Sequence, residues 1–410
     1  MHPLIRHLSL CAFACALSFS VHAAPGQTVL SVSANDQIAT RLASSAVTLD
    51  RDSLDRAPSA MSWALEPDAA LEQRPQPFRE QSREYWMDAS EAELRRGVSL
   101  PTSATGALIR FSPHAGARAA LAREDLQISN GARQLSADQA IQSLASEDEL
   151  RAAGMDVPQG SVVLRLSEAA GSGMLQIAAP SAQGNWLIHV YEPASKVVLN
   201  LQAAKDSVLA GDALVITASM EGGASLRNLA GLLSAPSGFS QSFDFVRQRD
   251  GSFRASVVPD ARHAGGHGLW EIHAFGNAAN GKQTIQRDAR TAVAVSVAGA
   301  RLSGAAEPLP SLSRQRDVAV QLAVEVAVAS RYQLAGVLYG TSVDGQLRPA
   351  AVAHSAAWLE RGQTTMQLRF DAAALTPSGL KAPYELRDLR LLDQADMSLI
   401  ERRERAMALD

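Results

Sequence analysis

From about Lys196 to the C-terminus the chain keeps one rhythm, and that rhythm restricts what it can fold into. Short runs alternate apolar and polar residues and are broken, roughly every 8–12 positions, by turn residues. Alternation sends successive side chains to opposite faces of a strand, so each strand buries one face and needs a second sheet to cover it. VVLNLQAAKDSVLAGDALVITASM reads as two strands parted by Gly211-Asp212, and QSFDFVRQRDGSFRASVV holds the hairpin signal Asp250-Gly251. GLWEIHAFGNAANGKQTIQRDARTAVAVSV follows, with Asn280-Gly281 as a further turn. These features predict an antiparallel immunoglobulin-like sandwich over residues 194–300. RLSGAAEPLPSLSRQ (301–315) has the composition of a linker. VAVQLAVEVAVA, YQLAGVLYGTSVDGQLRPAAVAHSAAWL, TTMQLRFDAAAL and APYELRDLRLLD then resume the alternation, which predicts a second such sandwich over 316–410.

Before Lys196 the pattern is mixed. Ser90 with Glu93, Ser136 with Gln139 and Ser146 with Glu149 are capping boxes, in which a serine oxygen accepts a free backbone N–H and the later side chain reaches back. Gly97 and Gly154 stand where helices over 91–96 and 147–153 should stop. ALIRFS, SVVLRLS, MLQIAA and NWLIHVY read as strands. The expectation is an α+β domain over 81–193, with 24–80 polar, proline-broken, irregular and partly disordered. The fold class is an α+β N-terminal domain followed by two antiparallel Ig-like β-sandwich domains, mainly β overall.

The first 23 residues are a different object: a basic start, the apolar run LSLCAFACALSFSV, then VHA before Ala24. This is the pattern of a secretory signal peptide cut after Ala23, and it places the chain in the periplasm or outside the cell. Leu10 before Cys11 and the early position of Cys15 speak against a lipoprotein. Both cysteines fall inside the leader, so the mature chain has none and must be held by packing alone. With 42 acidic against 38 basic residues and no basic stripe, nucleic acid is not an expected partner. No later apolar run approaches the roughly 20 residues of a membrane-crossing helix.

Pro236 and Gly238, DGSF at 250–253, GLWEIHAFG at 268–276 and RDARTAVAVSV resemble bacterial Ig-like modules. YQLAGVLYG, DGQL, AAWLERGQTTMQLRFD and APYELRDLRLLD resemble a related sandwich. With SREYWMDASEAELRRGVSLPTSATGALIRFSP before them, nearly the whole mature chain resembles a family of exported bacterial proteins of unknown function. Their pattern is a mixed N-terminal domain followed by two Ig-like modules. The resemblance implies architecture and leaves the chemistry open, because sandwiches host many functions.

ARHAGGHGLWEIH (261–273) brings three histidines together in sequence. His273 lies six residues beyond His267 on an apparent strand, roughly 20 Å away if extended, so the three cannot share one ion. Two readings stay open. His263 and His267, helped by Asp260, form a two-histidine metal site; or the glycines are a turn into a strand with Trp270 inward and His273 on the surface. GNAANGKQ misses a phosphate loop because Gln283 stands where a hydroxyl is needed. GFSQS lacks the last glycine of a nucleophile elbow. Asp206, Asp212, Asp250, Asp260 and Asp344 are turn residues, with calcium in these loops as the alternative. No cofactor is expected beyond such a divalent cation, zinc or calcium. Trp63, Tyr85 and Trp86 are candidates for a ligand platform or, alternatively, for aromatic anchors in the core. The expected function is a non-catalytic, multi-module protein binding an extracellular or envelope protein or glycan. The alternative is a secreted hydrolase gathering His114, His189, Glu124 or Asp125 in the first domain.

Overall fold

The structure is a computed structural model that describes residues 28–44, 49–71, 78–114, 121–310 and 317–410. The expected leader and its cleavage point lie outside these residues. The chain is mainly β, built from sheets that are antiparallel but for the parallel pairing of Ser207–Leu209 with Gln283–Ser296, around three hydrophobic cores. Among the described residues no helix is long and apolar enough to cross a membrane.

The first core lies between two sheets and is filled by Tyr85, Leu100, Phe111, Leu164, Trp186 and Ile188. One sheet runs Glu84–Ala89, Trp186–Tyr191, Leu108–Pro113, Val162–Leu166, Ile141–Ala145; the other is built from Val98–Thr102, Gly173–Ala178, Gln127–Asn130 and Arg133–Leu135. All three capping boxes form, opening the short helices Glu91–Arg96, Ala137–Ala140 and Glu147–Ala152. The first helix closes at Gly97, whose N–H reaches Glu93 O.

The second core separates two sheets. Strands Trp270–Asn280 and Gln283–Ser296 pair in full register and turn at Gly281-Lys282, one position on from the expected Asn280-Gly281, with Gly281 at φ +60°. Alternation works as expected: Trp270, Ile272 and Ala274 are buried in this core. Opposite lie Val198–Ala203, Leu214–Glu221 and Phe253–Val257, and Arg79–Ser82 joins as an edge strand. The first and second units share one ten-stranded sheet, joined where Glu84 pairs with Asp288.

The third core is where the structure departs from expectation. Within the segment assigned as irregular over 24–80, residues 28–44 and 49–71 wrap this sandwich. Thr28–Val29 pairs with Ala300–Leu309 on one sheet, and Ser59–Ala64 pairs with Leu347–Leu359 on the other. Between them Gln37 exchanges backbone hydrogen bonds with Arg402, and its side chain donates to Leu399 O at 2.8 Å. Leu30 and Ala39 enter the core. Most strap side chains stay outside, so composition registers a polar segment although the backbone is paired. The expected linker over 301–315 is corrected in its first part, since Ala300–Leu309 is a strand, while 311–315 lie outside the described residues. Its linker-like Gly304 sits at a bulge with φ +86°, and Pro308 lies where only one neighbouring strand pairs.

Candidate functional site

The join between the first two units is a short stretch of ladder that then splays. Strand Glu84–Ala89 meets strand Gln283–Ser296 at a single residue pair, Glu84 with Asp288. At the next position the Trp86 N–H donates to the Asp288 carboxylate (Oδ2, 3.0 Å). A side chain thus replaces the main-chain acceptor and wedges the strands apart. The opening is a cleft of 350 Å³ on the outer face of the shared sheet. Trp86, Leu232, His273, Phe275, Asp288 and Arg290 line it together with the amide side chains Asn277 and Gln286.

Cross-strand register explains this grouping. His273 lies opposite Arg290 and Phe275 opposite Asp288, so all four share the face turned away from Trp270 and Ile272. Asp288 is 3% exposed. Its Oδ1 has no hydrogen-bond partner, nor has His273 Nε2, which lies 3.5 Å from Asp288 Oδ2. Trp86 is covered by the chain itself: His189 stacks on it with centroids 4.5 Å apart, and the Arg290 guanidinium sits 4.4 Å over the ring. His189 in turn binds Glu84 at 2.8 Å, and His114 binds Asp88 at 2.9 Å.

The opposite side of the same strand anchors the seam. Arg287 and Glu192, both fully buried, pair at 2.6 Å. Arg287 also donates to Val197 O, Ser103 Oγ and Ser195 Oγ, while Glu192 accepts the N–H groups of Ser103 and Ala104. Every strong polar group there has a partner, which is the condition under which a buried ion pair is tolerated.

The residues expected from the sequence are scattered. Tyr85 and Trp86 are consecutive on a strand and face opposite ways; Tyr85 is buried in the first core, its hydroxyl donating to Pro101 O, so it is an anchor and no part of a platform. Trp63 is half exposed on the strap, edge-on to His354 and on a different sheet. His263 stacks on Phe239 at 3.7 Å. Asp260 is held by the Arg262 guanidinium, which brings its pKa down to about 2. The Asp260 carboxylate is therefore engaged by Arg262, and the His263 ring packs face to face on Phe239. Gly266 N–H, in the same loop, reaches Asp396 of the third unit. Among the described residues no group of three or more His, Cys, Asp or Glu could hold a metal ion. Asp250 and Asp344 accept hydrogen bonds within their own turns. Of the four residues named for a hydrolase, Asp125 accepts the Ala122 N–H, and neither it nor Glu124 lines the cleft.

His273 was expected on the surface, but its side chain is only 17% exposed because Asp288 and Trp86 crowd it. Asp288, Arg287 and Arg290 were not singled out. The signal was the pair Arg287-Asp288 inside a strand: adjacent charges on opposite faces leave at least one requiring a partner from outside its own sandwich.

Over residues 50–192 the chain matches the model of the DUF4785 N-terminal domain, a domain of unknown function, and over 299–410 that of the DUF4785 C-terminal domain. A DUF4785 family protein from Legionella pneumophila of solved structure is 20% identical, with a TM-score of 0.73 over 91% of this chain and 99% of that one. Trypsin-activated alpha-2-macroglobulin from Escherichia coli is 12% identical over 74% of this chain and 22% of that one; its TM-score of 0.19 carries no likeness of fold. No curated protein matches the sequence.

Proposed function

The chain belongs to the DUF4785 family, whose function is unknown, and from that premise we propose that it is an exported, non-catalytic binding protein whose ligand site is the cleft at the seam. The carrying observation is the buried Asp288 carboxylate, one oxygen of which lacks a donor while its residue lines that cleft. A buried acceptor left unmatched is costly, and a ligand that supplies the donor recovers that cost as affinity. The lining contains no serine, threonine or cysteine, so it offers no hydroxyl or thiol nucleophile beside the His273–Asp288 pair. The leader pattern supports export to the periplasm or beyond. The two sandwiches then serve as rigid support and docking surface for an envelope or extracellular partner.

The test is a thermal-shift screen of the purified mature chain against soluble envelope components, repeated on Leu232→Trp, which fills the cleft. A hit that stabilises the wild type and not the variant supports the reading; equal shifts in both place binding elsewhere. An amino-terminal sequence of the envelope fraction beginning at Ala24 supports export, and retention of the leader in the cytoplasm opposes it.

A further inference from the structure

We infer that the cleft takes a carbohydrate, gripped through neighbouring hydroxyl groups by Asp288, His273, Asn277 and Gln286; this rests on the binding reading above and names its ligand class. The argument is one of donor, acceptor and charge. Asp288 Oδ1 can only accept, and His273 Nε2 accepts or donates according to its tautomer. A hydroxyl meets both, since it donates one hydrogen and accepts through two lone pairs. An ammonium only donates, and it would enter beside the Arg290 guanidinium, whose contact with Glu271 is a loose 3.8 Å. A carboxylate or phosphate only accepts and would face buried Asp288. A neutral polyol avoids both repulsions.

The rest of the wall fits the same class. The Asn277 and Gln286 amides each offer donors and an acceptor, as a pair of adjacent hydroxyls requires. Trp86 is occupied by His189 and Arg290, but Phe275, tilted at 48° against His273, leaves an apolar ring in the wall for the C–H face of a sugar. The volume of 350 Å³ lies at the small end of the roughly 300–1,000 Å³ typical of ligand pockets, which suits a short saccharide or a chain end.

The experiment is titration calorimetry of the full mature chain with three probe sets. These are neutral saccharides (glucose, mannose, N-acetylglucosamine and their disaccharides), amines (cadaverine, lysine amide) and anions (citrate, glycerol phosphate). The expected result is binding of at least one neutral saccharide, weakened tenfold or more in Asn277→Ala and in Asp288→Asn. Asn277 is exposed, so that variant keeps the result interpretable if Asp288→Asn disturbs the seam. Binding of an amine or anion with no saccharide binding overturns the carbohydrate assignment and leaves the cleft as a ligand site. Saccharide binding unchanged in both variants places the sugar outside the cleft and also overturns it. No binding from any set removes both readings.

Discussion

Arg287 and Glu192 pair at 2.6 Å with neither side chain exposed, and the pair joins the second unit to the first. Each charge has been taken out of water and is compensated chiefly by the other. Glu192→Gln therefore leaves a buried guanidinium without its counter-charge and is expected to cost about 3–5 kcal/mol. Replacing both, as Glu192→Gln with Arg287→Met, should recover part of that loss. Denaturant unfolding of wild type, Glu192→Gln, Arg287→Met and the double variant checks this; a double variant worse than either single one would show that the two residues act separately.

The strap makes the third unit depend on residues far from it in sequence. Leu30 is 2% exposed within that core, so Leu30→Ala should destabilise it by about 2–5 kcal/mol. Val32, two residues on and 71% exposed, is the internal control: Val32→Ala should stay within about 0.5 kcal/mol. Equal effects from the two would mean that the strap is not packed as described.

What could be read from the sequence was local. A capping box is four consecutive residues, and all three form; Asn280-Gly281 is a local turn signal, and the Gly281-Lys282 loop beside it closes the longest hairpin of the second unit. The mainly-β class followed from the alternation alone. The strap was missed because its pairing partners, such as Arg402 for Gln37, lie hundreds of residues away and its own composition is that of an edge. The cleft was half legible. Trp86 was a candidate, but a strand pattern gives only the face of a residue, and nothing local says that Asp288 would break the ladder beside it.

Glu401 gives the third unit a pH dependence of defined sign. Burial pushes its pKa from 4.5 up to about 7, against the opposing pull of Arg403, the Ala39 and Leu302 backbone and Arg301. Between these two values the unfolded chain loses a proton that the folded chain keeps, so stability is highest at low pH and falls as pH rises through that window. The loss is about 3 kcal/mol between pH 4.5 and 7. Glu401→Gln should flatten this slope and exceed the wild type in stability at pH 8. Urea midpoints measured from pH 4.5 to 8 decide the matter; a wild-type midpoint that rises across the window would reverse the sign.

Asp288 has a structural duty separable from any ligand, because its Oδ2 accepts the Trp86 N–H that would otherwise face the cleft. Removing the carboxylate in Asp288→Ala leaves a partly buried donor without an acceptor, at an expected cost of about 1–3 kcal/mol. In Asp288→Asn the amide oxygen can still accept, so the order of stability should be wild type, then Asn, then Ala. Amide hydrogen exchange reads this locally. Trp86 should lose protection in the alanine variant and keep most of it in the asparagine variant, while Ile188, fully buried in the first core, stays unchanged. If Trp86 exchanges equally slowly in all three proteins, the strands do not splay there, and the cleft loses its structural cause.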